Sequence, residues 1–253
     1  MFSVLSPLDF LAVGWFLFAW LGFNIVIDTS PWRTKTLSHA MNEYRRHWML
    51  TMATREVRIM DTAILSGLQH GTAFFASAAL LAIGAGFTLL DSTEIVLRVA
   101  GDLSIPLDES RTLWEIKVLG LMAIIAYSFF KFGWAYRLFN YASIVMGAVP
   151  ERGQADPAVI QEVATRAADL NMLAGRHFNL GQRAWFFAIA FLGWFAGPEV
   201  FAAATLAVLL VLLRRQFASR ARAAALSGQK LKLPSPVSPG EYTDTGSSNP
   251  FTS

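Results

Sequence analysis

The sequence predicts an all-α, polytopic membrane protein of about five transmembrane helices, with cytoplasmic or interfacial amphipathic helices between them. Three observations carry this. The chain is 54% hydrophobic with a mean hydropathy of +0.43, and only 15% of it is charged, against about 25% in ordinary soluble domains. Glu199 is the one charged side chain in the long apolar stretch between Arg183 and Arg214. Lysine and arginine gather in alternate inter-span segments, as they do on the inner side of a bilayer.

The Arg183–Arg214 stretch sets the topology. As a single helix it would run ~45 Å, well past the ~30 Å hydrocarbon core. Gly197-Pro198 divides it. Proline lacks the amide a helix interior needs and disfavours helical geometry in the residue before it. The sequence therefore predicts a tight hairpin, with arms over 178–196 and 199–217 and arginines at the base of both. A re-entrant hairpin that does not fully cross would give the same sidedness.

Upstream, the first span is predicted over 8–27, with Asn24 inside it, and Asp28-Thr29-Ser30-Pro31 ends it. No basic n-region or small-residue cleavage site precedes or follows this run, so it is expected to persist as a span. The segment 32–66 then carries Arg33, Lys35, Arg45, Arg46, Arg55 and Arg58. This makes it cytoplasmic. Within it, 38–60 lacks helix breakers, and Met41, Tyr44, Trp48, Met52 and Val57 recur at mostly helical spacing. That pattern predicts an amphipathic helix lying along the membrane.

The second span is predicted over 67–90. Its Gly67 and Gly71, continued by Ala78, Ala82 and Gly86, form a small-residue face of the kind that lets helices approach closely in lipid. The loop 91–113 holds five acids and only Arg98 and Arg111, which puts it outside. The third span, 114–133, is expected to continue as a helix towards Pro150. Asp156-Pro157 then reads as an N-cap and first helical position. The helix it opens can run straight into the fourth span.

Arg214, Arg215, Arg220 and Arg222 close the last span. The charge pattern places the N-terminus outside and the C-terminus inside. Residues 1–226 are expected to form one helical membrane domain. Residues 227–253, rich in Pro, Ser, Gly and Thr, read as a disordered cytoplasmic tail.

Composition also excludes. Without cysteine there are no disulfides, thiolate zinc sites or cysteine-ligated clusters. Basic residues beside apolar runs account for the net charge of +3 as membrane orientation, and no nucleic-acid partner is expected. No nucleophile or phosphate-loop motif is present. The sequence therefore implies no catalytic residue, metal or cofactor; His70 and His177 lack the spacing of a haem or metal motif.

Polar side chains against a bilayer are costly and mark candidate sites. Here they gather at the inner ends of the spans: Asp61, His70, Lys131, Arg137, Asn140, Tyr141, Arg176, His177, Asn179 and Arg183, with Asn24, Asp28, Gln69, Asn171 and Gln182 nearby. Arg176, Asn179, Gln182 and Arg183 share one stripe of their helix. Two readings stand beside each other: interfacial snorkelling with buried ion pairs, or a basic inner pocket for an anionic group. Asp61 is expected to meet Arg137, Arg176 or Arg183, and the cluster to form one connected network.

The runs Asn42-Glu43-Tyr44-Arg45-Arg46-His47-Trp48-Met49, Phe129-Phe130-Lys131-Phe132, Phe139-Asn140-Tyr141-Ala142-Ser143 and Arg176-His177-Phe178-Asn179 resemble those of bacterial membrane proteins grouped as domain-of-unknown-function family 599. The likeness covers most of 5–220. It implies a multi-pass protein of a Gram-negative inner membrane and brings no reaction, ligand or catalytic residue. The sequence thus favours a non-enzymatic accessory or assembly partner of a membrane complex, with the lipid bilayer and a membrane protein or second copy as partners. The alternative is a small transporter or binding protein for an anionic solute or lipid headgroup.

Overall fold

Serine, threonine and aspartate caps start most of the helices in a computed structural model of the chain, which describes residues 5–95, 98 and 110–227. Helix α1 (Pro7–Asp28) opens with a capping box. The Ser6 hydroxyl accepts from the Asp9 amide, and the Asp9 carboxylate accepts from the Ser6 amide. Ser30 caps a 3-10 turn (Pro31–Lys35), and Thr36 caps α2 (Leu37–Ala53). Helix α3 (Ile59–Asp91) follows. Ser110 caps α4 (Arg111–Gly147), and Asp156 caps α5 (Pro157–Leu192) with Pro157 first in the helix, as expected. A 3-10 turn (Gly193–Ala196), α6 (Pro198–Phe217) and α7 (Arg220–Ser227) complete the described chain. It is all-α, with no strand among the described residues.

The break at Gly197-Pro198 falls where the sequence put it. Gly197 takes φ +127°, a region that favours glycine because side chains clash there. Gly193 lets the arms close: a Cβ there would stand 3.1 Å from the Val200 carbonyl oxygen. The arms run antiparallel. Phe191 meets Phe201 near the turn, and Arg215 lies over Phe186 further down.

Helices α3, α4 and α5, of 33, 37 and 36 residues, form a sheaf of antiparallel neighbours. Phe75 stacks on Phe132, Phe178 packs tilted against Phe132, and the Ser128 hydroxyl donates to the Gly181 carbonyl. Helices α1 and α6 cover one half of the sheaf. There Phe16, Phe187, Phe191, Trp194 and Phe201 interlock in a buried aromatic core. Helix α2 covers the other half. Its Met49 and Met52 pack with Leu138, Phe139 and Met146 of α4 and with the alanine stripe Ala164, Ala167 and Ala168 of α5.

The two halves meet different surroundings. Over the first, α1 exposes Leu11, Phe18 and Ile25, α3 exposes Phe74 and Leu81, and α6 exposes Leu210 and Val211. A contiguous apolar belt of this kind suits lipid rather than water. Over the second, the early turns of α5 expose Gln161, Glu162, Arg166 and Asp169. Four described helical segments are long and apolar enough to cross a membrane: Pro7–Asp28, Ile59–Asp91, Arg111–Gly147 and Pro198–Ser227. The chain is a multi-pass membrane protein. The arm expected over 178–196 is the end of α5 and its 3-10 turn. Its apolar run begins only after Arg183, at ~20 Å too short to cross alone.

The structure corrects the extent of the helix expected over 38–60. It stops at Ala53, and Met49, Met52 and Ala53 are buried against α4 and α5, while Met41 and Val57 stay exposed. The chain then turns, and α3 begins eight residues earlier than the span expected from 67. The tail expected over 227–253, apart from Ser227 at the end of α7, and most of the outer loop expected over 91–113 fall outside the described residues.

Candidate functional site

The C-terminal end of α1 delivers Asp28 to the middle of α5, where Arg183 is only 4% exposed. Arg183 Nη1 donates to Asp28 Oδ2 at 2.9 Å and to Asn24 Oδ1 at 3.1 Å, and its guanidinium lies over the Phe23 ring. A charge this far from water needs such a partner.

Two adjoining cavities open around this ion pair. The larger, about 440 Å³, lies between the end of α1, the start of α2 and the middle of α5. Arg33, Arg176, Asp28, Glu43, Asp169 and His39 line it. The smaller, about 160 Å³, lies between α1, α2, α5 and α6, and is lined by Arg45, Arg183 and Arg215 without a carboxylate. Ser38 and Asn179 border both. The stripe Arg176, Asn179, Gln182 and Arg183 thus forms one wall of the basin that the two cavities make side by side, as its helical spacing implied.

The expected single network is corrected: the ten candidates fall into separate groups. Asp61 meets none of Arg137, Arg176 or Arg183. It is fully buried and accepts from Arg55 Nη1 and, at 2.7 Å, from Trp48 Nε1. The reason is local. The turn after α2 brings residues 48, 55 and 61 together, while Arg183 is already held by Asp28.

Asn140 accepts from Gln69 at 2.8 Å, bridging α3 and α4. Arg137 donates to Tyr141 and lies over the Trp134 and Tyr141 rings on the surface. Lys131 lies 5.1 Å over the Tyr127 ring. His70 is exposed beside Ser66, and His177 sits edge-on to Trp134. Only Arg176, Asn179 and Arg183 of the ten border the basin.

Sequence reasoning passed over two groups. Arg45 counted only as one of the basic residues of its segment. Asp9 and Lys117, at the opposite end of the bundle, are 6% and 1% exposed. Trp194 joins them: its indole donates to Asp9 Oδ1 at 2.7 Å, while its carbonyl accepts from Lys117 Nζ at 2.7 Å. A lysine at the outer end of the apolar third span, where charge is costly, was the available signal.

A family model described as a protein of unknown function, DUF599, matches residues 11–221. No curated protein and no solved structure matches the chain.

Proposed function

For a chain that belongs to the DUF599 family of proteins of unknown function, we propose a role set by the basin at the Asp28 end of the bundle: holding an anionic solute or lipid headgroup. The observation that carries this is the charge of the basin wall. Five arginines, Arg33, Arg45, Arg176, Arg183 and Arg215, face three acids, Asp28, Glu43 and Asp169, and Asp28 is already held by Arg183. Arginine's planar fork suits carboxylate and phosphate groups, and of the five Arg183 is buried and Arg45 half-buried between the helices. No reaction is assigned to the site. In this reading the basin faces the cytoplasm of a bacterial inner membrane, because the segments around it carry most of the basic residues.

The test is thermal stability of the purified protein in detergent against anions of matched ionic strength. A ligand that binds only the folded state raises the melting temperature with concentration. Phosphate or a carboxylate is expected to do so where chloride does not. Indifference to all of them would overturn the reading.

A second reading, as accessory or assembly partner of a membrane complex, has one observation in its favour. Gly67 and Gly71 of α3 are exposed, and a Cβ built on either meets nothing within 4 Å. Small residues turned outward allow close approach of another helix in lipid. Affinity purification from native membrane tests it; recovery of the chain alone would count against it.

A further inference from the structure

We infer that Arg45, seated on Gly175 at the edge of the smaller cavity, is the anchor of a site for a phosphate group, which rests on the anion-binding reading above. Arg45 is half-buried on α2, and Nη1 donates to Asn42 Oδ1 at 3.0 Å. Among the described residues no carboxylate pairs with it. Burial alone therefore acts on its guanidinium, pushing the pKa below the usual arginine value, though not far enough to remove the charge. A desolvated, unpaired cation is costly in any fold. Arg183 met the same problem with Asp28. Arg45 has only a neutral amide.

The α5 backbone makes room for this arrangement. A Cβ at position 175 would stand 2.5 Å from Arg45 Nη1, 2.6 Å from Cζ and 2.9 Å from Nη2. The guanidinium thus lies against the helix at a position where no side chain intervenes. Beside it the cavity of about 160 Å³ adds Arg183 and Arg215, together with the donors and acceptors of Ser38, Gln182 and Gln216. That is room for far more than one water, which needs ~10–15 Å³. Helix α2 begins at this edge, and its N-terminal dipole favours negative charge.

Among the described residues neither Arg45 nor the exposed Arg215, which lies over the Phe186 ring, pairs with an acid, while Arg183 is offset by Asp28. Two such forks match the charge of about −2 on a phosphate monoester or inorganic phosphate near neutral pH. The cavity lies where α1 ends and α6 reaches Arg214 and Arg215, the level of lipid headgroups. The phosphate is supplied either by the solution or by a lipid.

The experiment uses the full chain in nanodiscs of phosphatidylcholine, titrated with inorganic phosphate, and in nanodiscs containing phosphatidic acid; the readout is melting temperature. Wild type is expected to be stabilised by one of the two, and which one identifies the source. R45Q is expected to weaken that response about ten-fold or more, as loss of an arginine fork does. Without phosphate it should melt no lower than wild type, because it removes an unpaired charge. G175A keeps the arginine but displaces its guanidinium, and should weaken the response as well.

If R45Q and G175A respond like wild type while R33Q or R176Q in the larger cavity do not, the Arg45 site is wrong and the basin reading survives. If no variant changes the response, or wild type shows none, both fail.

Discussion

Arg183 and Asp28 meet fork to fork across the α1–α5 contact, with Nη1 2.9 Å from Oδ2 and Nη2 3.4 Å from Oδ1. Their side chains are 5% and 14% exposed. Breaking a pair this deep leaves a stranded charge, so D28N is expected to cost about 3–5 kcal/mol. Replacing both partners with apolar residues of similar size, as in D28L/R183M, should cost much less. Chemical or thermal unfolding in detergent would measure the cycle. Strict additivity of the two single variants would show that the pair does not act as a unit.

The Asp61 cluster predicts an asymmetry. Arg55 keeps 32% of its side chain in solvent, while Asp61 keeps none. Removing the aspartate leaves an arginine that can turn to water. Removing the arginine leaves a buried carboxylate held only by the Trp48 indole. R55Q is therefore expected to destabilise more than D61N, by about 1–2 kcal/mol. Equal melting temperatures for the two variants would contradict the buried position of Asp61.

Two glycines should respond oppositely to alanine. At Gly181 a Cβ would stand 2.7 Å from the Phe132 ring, itself fully buried between α4 and α5. G181A is expected to cost about 1–3 kcal/mol as overpacking. At Gly67 nothing lies within 4 Å, so in the isolated chain G67A should stabilise by about 0.5–1 kcal/mol through helix propensity. A G67A variant that loses a co-purifying partner would instead favour the assembly reading.

Orientation is tested by reporter fusions after Ile105, Val149 and Gln229. The proposed topology has them outside, inside and inside. A periplasmic signal at Gln229 would remove the hairpin from the membrane account and turn the basin away from the cytoplasm.

The elements whose signals are local were legible in the sequence. Asp156-Pro157 and Gly197-Pro198 act through their own backbone geometry, so the start of α5 and the hairpin turn needed no knowledge of neighbours. The stripe from Arg176 to Arg183 was likewise readable from spacing, and it does wall the basin. Pairings were not readable. Asp61 could be placed at a helix end, but its choice of Arg55 depends on the tight turn after Ala53. The role of Arg45 was hidden for the same reason: what makes it unusual is Gly175, 130 positions away, and no periodicity connects the two.

Helices α4 and α5 are each unbroken through the middle of the sheaf, and at 1.5 Å per residue each is ~55 Å long. An intact helix is stiff and bends sharply only at proline, a bulge or an inserted group, and neither has proline past its first turn. The two therefore act as a pair of levers. Arg183 sits on one of them, between the aromatic core and the methionine-lined half. A change in tilt imposed on the apolar half would be carried to the water-facing turns around Pro157, and a load on those turns would be carried back.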